Sequence, residues 1–151
     1  MKTMGLTVVG LGLLALVTAP TGAAATGVTY IPAETVAAAF AKGMPLVDVG
    51  SYKVHASRRE APGQAEVHTM DTDIIYVLTG SAVFVTGGRV VGGKSVEPEE
   101  IRGTGIEGGE TRTIRSGDVI IVPNGTPHLF KEVPAPMTYF VVKVRAAGTG
   151  Q

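Results

Sequence analysis

"GDVIIVPNGTPH", residues 117–128, holds a turn, a buried strand, a second turn and a histidine in one short stretch. "RSGD" at 115–118 puts Gly117 inside a tight turn, "VIIV" is an apolar run of strand length, and "PNG" punctuates its end. His128 therefore stands at the edge of apolar structure, where a polar side chain is costly unless it is paired, hydrogen-bonded or bound to a metal. "EVHTMDTD", residues 66–73, repeats the situation: Glu66, His68, Asp71 and Asp73 crowd the start of the apolar "IIYVLTG".

Outward from these two stretches the texture is uniform. From Leu46 onward, short apolar or alternating runs are split by Gly, Pro, Asp and Ser: "PLVDVGSYKVHASRRE", "DIIYVLTGSAVFVTGG", "TRTIRSGDVIIVPNG", "PHLFKEV" and "MTYFVVKVRA". Such punctuation predicts an all-β sandwich or small barrel, and the near absence of helix between strands argues against a parallel α/β sheet. Only "PAETVAAAFAKG", with Pro32 suited to its start and Gly43 to its end, reads as helix, packed outside the main body.

The chain begins with Lys2 and the apolar run "LTVVGLGLLALVTAP", too short and Gly-broken for a membrane span, followed by small residues. This predicts a cleaved export signal over residues 1–25, with Ala23 and Ala25 at the cleavage positions; an uncleaved anchor is the alternative. The remaining 126 residues suffice for one domain: residues 26–45 with the short helix, a barrel over 46–145 and a loose tail at 146–151. Without Lys2, twelve basic residues face thirteen acidic ones, so no basic field invites nucleic acid. The absence of cysteine removes disulfides and thiolate ligands, so any metal must be held by nitrogen and oxygen.

Two further stretches need their context. "APGQ", with Pro62 and Gly63 at the centre, fits a type II turn; joining a simple hairpin, it would set Ser57 opposite His68 and Arg59 opposite Glu66. A jelly-roll would instead carry these strands to different sheets. "GRVVGGKS", residues 88–95, matches the phosphate-loop pattern, but such a loop needs a helix starting at its lysine inside a parallel sheet. With Pro98 and Gly103 following, it reads as a glycine loop between strands, and no nucleotide is expected.

The chain has only three histidines, and His68 and His128 both fall beside strand and turn signals. Glu66 and His68 are two apart and so share a strand face, while a barrel brings His128 in from a distant strand pair. Two histidines and a carboxylate form the facial set that leaves metal positions open for substrate or oxygen. The stretch 117–128, with Gly117, Pro123, Gly125 and His128, resembles the second motif of the cupin family in every spacing. The first stretch resembles the first cupin motif, with His68, Asp73 and Gly80 at its spacing; the two motifs cover 66–128, and the flanking strands extend the likeness from Leu46 to Arg145. Glu66 stands where a histidine is usual, Asp73 where glutamate is usual, and Glu132 where asparagine is common. The interval from Gly63 to Glu66 is also shorter than the family's.

That resemblance implies an all-β double-stranded β-helix, or jelly-roll, barrel holding a divalent metal (Fe, Mn, Ni, Zn or Cu) through His68, His128, Asp73 and Glu66. The carboxylates keep competing roles: Glu66 as partner of Arg59, and Asp73 as acceptor of turn amides near Thr72. His55 has no motif position and reads as a wall residue or, with Glu66, as a candidate proton carrier. The functional readings are a metal-dependent enzyme of dioxygenase or isomerase/lyase type acting on a small molecule, and a binding cupin without turnover. A metal-free barrel with an Arg59–Glu66 pair is the third. Export would place it in the periplasm or outside the cell, and the resemblance adds a homodimer paired through strand edges. The polar stretch "EPEEIRGTGIEGGE" is expected to bring Glu100 or Arg102 to the mouth of the cavity.

Overall fold

Asp73, Ile75 and Val77 are buried while Ile74, Tyr76 and Leu78 are not, and this alternation along one strand sets the architecture. The computed structural model describes residues 27–146. Among these residues one helix, α1 (Ala33–Lys42), precedes thirteen strands. These are β1 (Met44–Val49), β2 (Tyr52–Arg59), β3 (Ala65–His68), β4 (Asp71–Thr79), β5 (Ser81–Thr86), β6 (Arg89–Val91) and β7 (Lys94–Glu97). They continue as β8 (Glu100–Gly103), β9 (Gly105–Glu107), β10 (Glu110–Arg115), β11 (Val119–Val122), β12 (His128–Glu132) and β13 (Met137–Arg145).

A five-stranded sheet, β1-β2-β13-β4-β11, faces a six-stranded sheet, β10-β5-β12-β3-β8-β7, and β6 and β9 form a separate ribbon. The inner faces meet in one apolar cluster: Ile75, Val77, Val122, Met137, Tyr139 and Val141 from the first sheet, and Ala82, Phe84, Ile114 and Phe130 from the second. Phe84 meets Phe130 edge-on at 4.7 Å, and Phe130 stacks on Tyr139 at 5.2 Å. The architecture is the expected jelly-roll, built as two facing sheets.

Helix α1 lies outside, as its Ala-rich composition predicted. It ends at Gly43 in a left-handed conformation, and its Phe40 packs edge-on against Phe140 at 4.8 Å. The "RSGD" turn forms with Gly117 at φ +93° and an Asp118 N–H to Arg115 carbonyl bond of 3.0 Å. "APGQ" does not form the predicted turn, because Gly63 lacks the positive φ that a type II turn demands. Nor do β2 and β3 form a hairpin. β2 pairs with β1 and β13, and β3 with β12 and β8, so the chain crosses between sheets at residues 60–64. Pairing of distant strands outweighs the local turn signal here, as jelly-roll topology requires.

The glycine loop expected at 88–95 and the polar stretch 97–110 hold short strands β6 to β9, with β8 paired to β3. Lys94 opens β7 rather than a helix. The export signal at 1–25 and residues 147–151 of the tail lie outside the described residues.

Gly80 joins β4 to β5 at φ +80°, and a Cβ there would meet Met137 Cβ at 2.7 Å and the Pro136 carbonyl at 3.0 Å. Gly80→Ala is therefore expected to cost at least about 1–3 kcal/mol from backbone strain alone. Denaturant unfolding checks it, and a loss under about 0.5 kcal/mol, ordinary for a neutral surface change, would contradict this account of the turn.

Candidate metal centre

The inward faces of five strands deliver the polar residues to one cavity of about 140 Å³. His55, Ser57 and Arg59 come from β2, Asp73 and Ile75 from β4, Tyr139, Val141 and Lys143 from β13, and Glu66, His128 and Phe130 from the opposite sheet. Glu66 and His128 are direct partners in the β3–β12 register, and His68 follows Glu66 on the same face. Glu66, His68 and His128 thus converge, each offering a ligand atom within 4.8 Å of the other two.

Glu66 Oε2 lies 3.8 Å from His68 Nε2 and 3.8 Å from His128 Nε2. Bonds of about 2.0–2.2 Å to one ion put two donors up to about 4.4 Å apart, so these separations suit a shared cation. The donor set fits as well, since imidazole and carboxylate accept first-row divalent metals. His128 is almost fully buried, and burial first, then the neighbouring His68, holds its pKa below the usual imidazole value. Burial thus favours the neutral ring, the form a metal requires. His128 Nδ1 sits 3.3 Å from the Thr126 carbonyl, an outer contact that leaves Nε2 toward the cavity.

Asp73 occupies the same neighbourhood, its Oδ2 3.6 Å from His68 Nε2 and 3.8 Å from His128 Nε2. Both its oxygens, however, accept hydrogen bonds of 2.8 Å from Lys143 Nζ. Lys143 faces Asp73 directly in the β13–β4 register, and neither side chain is more than 16% exposed. The sequence reading missed Lys143, although alternation in "TYFVVKVR" puts it on the inward face with Tyr139 and Val141.

Glu66 does not pair with Arg59. Its other charged neighbour is Arg102, at 3.9 Å and opposite it in the β3–β8 register. Arg102 Nε donates to Glu100 at 2.5 Å, and Glu100 lies opposite His68. Both mouth candidates therefore stand beside the site, on a neighbouring strand rather than a loop. Glu100 and His68 share a second hollow of about 230 Å³ with Asp48, Lys53, Asp71 and Glu99. Glu99, just before β8, is tied to Arg145 by a fork of hydrogen bonds that holds its carboxyl below the usual range.

His55 lines both hollows, and its Nε2 is buried without a hydrogen-bond partner. Burial first, then Lys143 and Lys53, lower its pKa from the ordinary value of 6.5. The unfolded chain therefore takes up a proton on this residue before the folded one does. Stability from this source is intact above about pH 6.5 and falls as pH drops through the lowered folded value. Melting curves of metal-free protein should show this acid loss, and His55→Gln should flatten it; an unchanged slope would contradict the assignment.

A two-sheet barrel with imidazole and carboxylate gathered inside defines a class of proteins that bind metals or small molecules within a jelly-roll. The cupin family's sequence profile matches residues 32–150, and the chain belongs to the cupin family. Among solved structures, a Bacillus halodurans protein is similar at a TM-score of 0.54 and 12% identity, over 81% of this chain and 86% of that one. A conserved Streptococcus pyogenes protein is similar at 0.49 and 16%, over 69% and 73%. A cupin protein from Bacteroides fragilis is similar at 0.44 and 13%, over 67% and 70%. Likeness at these identities concerns the fold alone. Among curated proteins, none matches the sequence.

Proposed function

We propose that this cupin is an exported metal-dependent enzyme in which Glu66, His68 and His128 hold a divalent ion and His55 moves a proton on a small substrate. The observation that carries the reading is the convergence of two imidazoles and one carboxylate from β3 and β12 on one point inside the barrel. When bound, such an ion supplies Lewis acidity and open coordination positions. The reaction is of isomerase or lyase type, in which His55 takes a proton at Nε2 and returns it.

His55 suits that task because its Nε2 is unpartnered, its side chain lines the cavity and burial lowers its pKa, which favours the neutral ring. Glu66 is committed to the ion, which leaves His55 as the base. Asp73 acts from behind: fixed by Lys143, it places a carboxylate beside both imidazoles without being a ligand itself. Phe130, Ile75, Tyr139 and Val141 line the cavity and limit water around the base. Export rests on the apolar run and small residues before Gly27, and the mass of the mature protein tests it.

Turnover in D₂O with small hydroxy and oxo acids, followed on an oxygen electrode, tests the reaction type. Deuterium in the product without oxygen consumption is expected. Stoichiometric oxygen uptake would replace this reading with a dioxygenase, and binding without turnover would replace it with a non-catalytic cupin.

A further inference from the structure

Among the described residues, two buried side-chain nitrogens lack any hydrogen-bond partner, His55 Nε2 and Arg59 Nε, and both belong to residues lining the 140 Å³ cavity. A buried polar atom left unsatisfied is costly, so an acceptor nitrogen on His55 and a donor on Arg59 in one cavity mark places where a ligand's atoms are missing. The cavity's other cations are engaged: Lys143 on Asp73, with Lys53 near Asp48 and Arg102 on Glu100 close by. Arg59 makes no ion pair among the described residues.

We propose that Arg59 binds the carboxylate of the substrate, and that the substrate is a small hydroxy or oxo acid whose oxygen-bearing carbon faces His55. This rests on the acid–base reading above for the role of His55. A guanidinium presents a fixed fork of donors that matches a carboxylate, and here it is held ready. Its Cζ lies 4.5 Å over the Phe130 ring, a cation–π contact that restrains the guanidinium. Gly63 closes over the other side, where a Cβ would come within 2.6 Å of Arg59 Nη1, and the Gly63 N–H donates to the Phe130 carbonyl at 2.9 Å.

His55 and Arg59 are four residues apart on one strand face, about 13 Å between Cα atoms at strand rise. One carboxylate does not serve both, so the ligand carries a second polar group at its other end. The volume, that of roughly five waters at ~30 Å³ each, limits it to a few carbons. The acids nearby do not oppose the charge, because Asp73 is neutralised by Lys143 and Glu66 faces the imidazoles and Arg102.

Calorimetric titration of the full chain as purified, with its metal content measured, tests the assignment using 3-hydroxypropionate, propionate and 3-hydroxypropionamide. Both acids are expected to bind, the hydroxy acid more tightly, and the amide at least about tenfold more weakly, as loss of a charge-assisted contact implies. Arg59→Gln should lose the acids by a similar factor. Gly63→Ala should do the same with the fold intact, because its new methyl strikes only the guanidinium. His55→Gln should remove the preference for the hydroxyl but keep propionate binding. Equal affinity for acid and amide, or unchanged acid binding in both Arg59→Gln and Gly63→Ala, would overturn the proposal. Arg59 is outside the ligand set, so Arg59→Gln keeps its metal whichever way the titration falls, and failure here leaves the metal reading standing.

Discussion

Lys143→Met is expected to destabilise the metal-free protein by about 3–5 kcal/mol, the range for removing one partner of a buried ion pair. Asp73 is 3% exposed, and Lys143 satisfies both its oxygens at 2.8 Å. Methionine keeps the length and apolar stem of lysine but leaves the carboxylate buried with no cation. Metal changes the balance: freed of Lys143, Asp73 lies 3.6 and 3.8 Å from the two imidazole nitrogens and can join the ligand set. The variant's deficit in urea unfolding should therefore shrink when a divalent metal is added, and its metal affinity should exceed that of the wild type. A metal-free variant as stable as the wild type would show that Lys143 does not hold Asp73 in the way described.

Phe84→Ala is expected to cost about 3–5 kcal/mol, as large aromatic truncations in a closed core do. Phe84 has no exposed surface, packs edge-on against Phe130 and stands 6.1 Å from the His128 ring. Removing it opens a cavity between the sheets where strands β5 and β12 pair, so the wall behind His128 loosens together with the core. Phe40→Ala, which removes an edge contact between α1 and the outer face of Phe140, should cost clearly less. Equal losses for the two would mean that the core is not centred between the sheets.

Much of this was legible because two signals are local. Alternation in "DTDIIYVLT" places Asp73, Ile75 and Val77 inside, and the turn glycines Gly80 and Gly117 adopt the positive φ their positions imply. The spacing around His68 and His128 likewise pointed to two imidazoles in one cavity. The misreadings concern contacts between residues far apart in sequence. Glu66 meets Arg102 and His128 rather than Arg59, because β3 pairs with β8 and β12. Lys143 reaches Asp73 across 70 residues, and no short-range pattern announces such a pair. Strands β7 to β9 were hidden by their shortness and polarity: three or four residues each, with β7 fully exposed, they carry no apolar alternation to read.

Arg59 shows the same limit from the other side. Its charge suggested a partner of opposite sign on the next strand, yet the fold gives it an aromatic ring and a close glycine instead. A binding residue is often the one whose expected partner is missing, and only the topology reveals that absence.

Elemental analysis of the mature protein, purified without an affinity tag, tests the central claim most directly when repeated for His68→Ala and His128→Ala. The account predicts a stoichiometric divalent metal in the wild type and its loss in both variants. Full metal retention in both would contradict it.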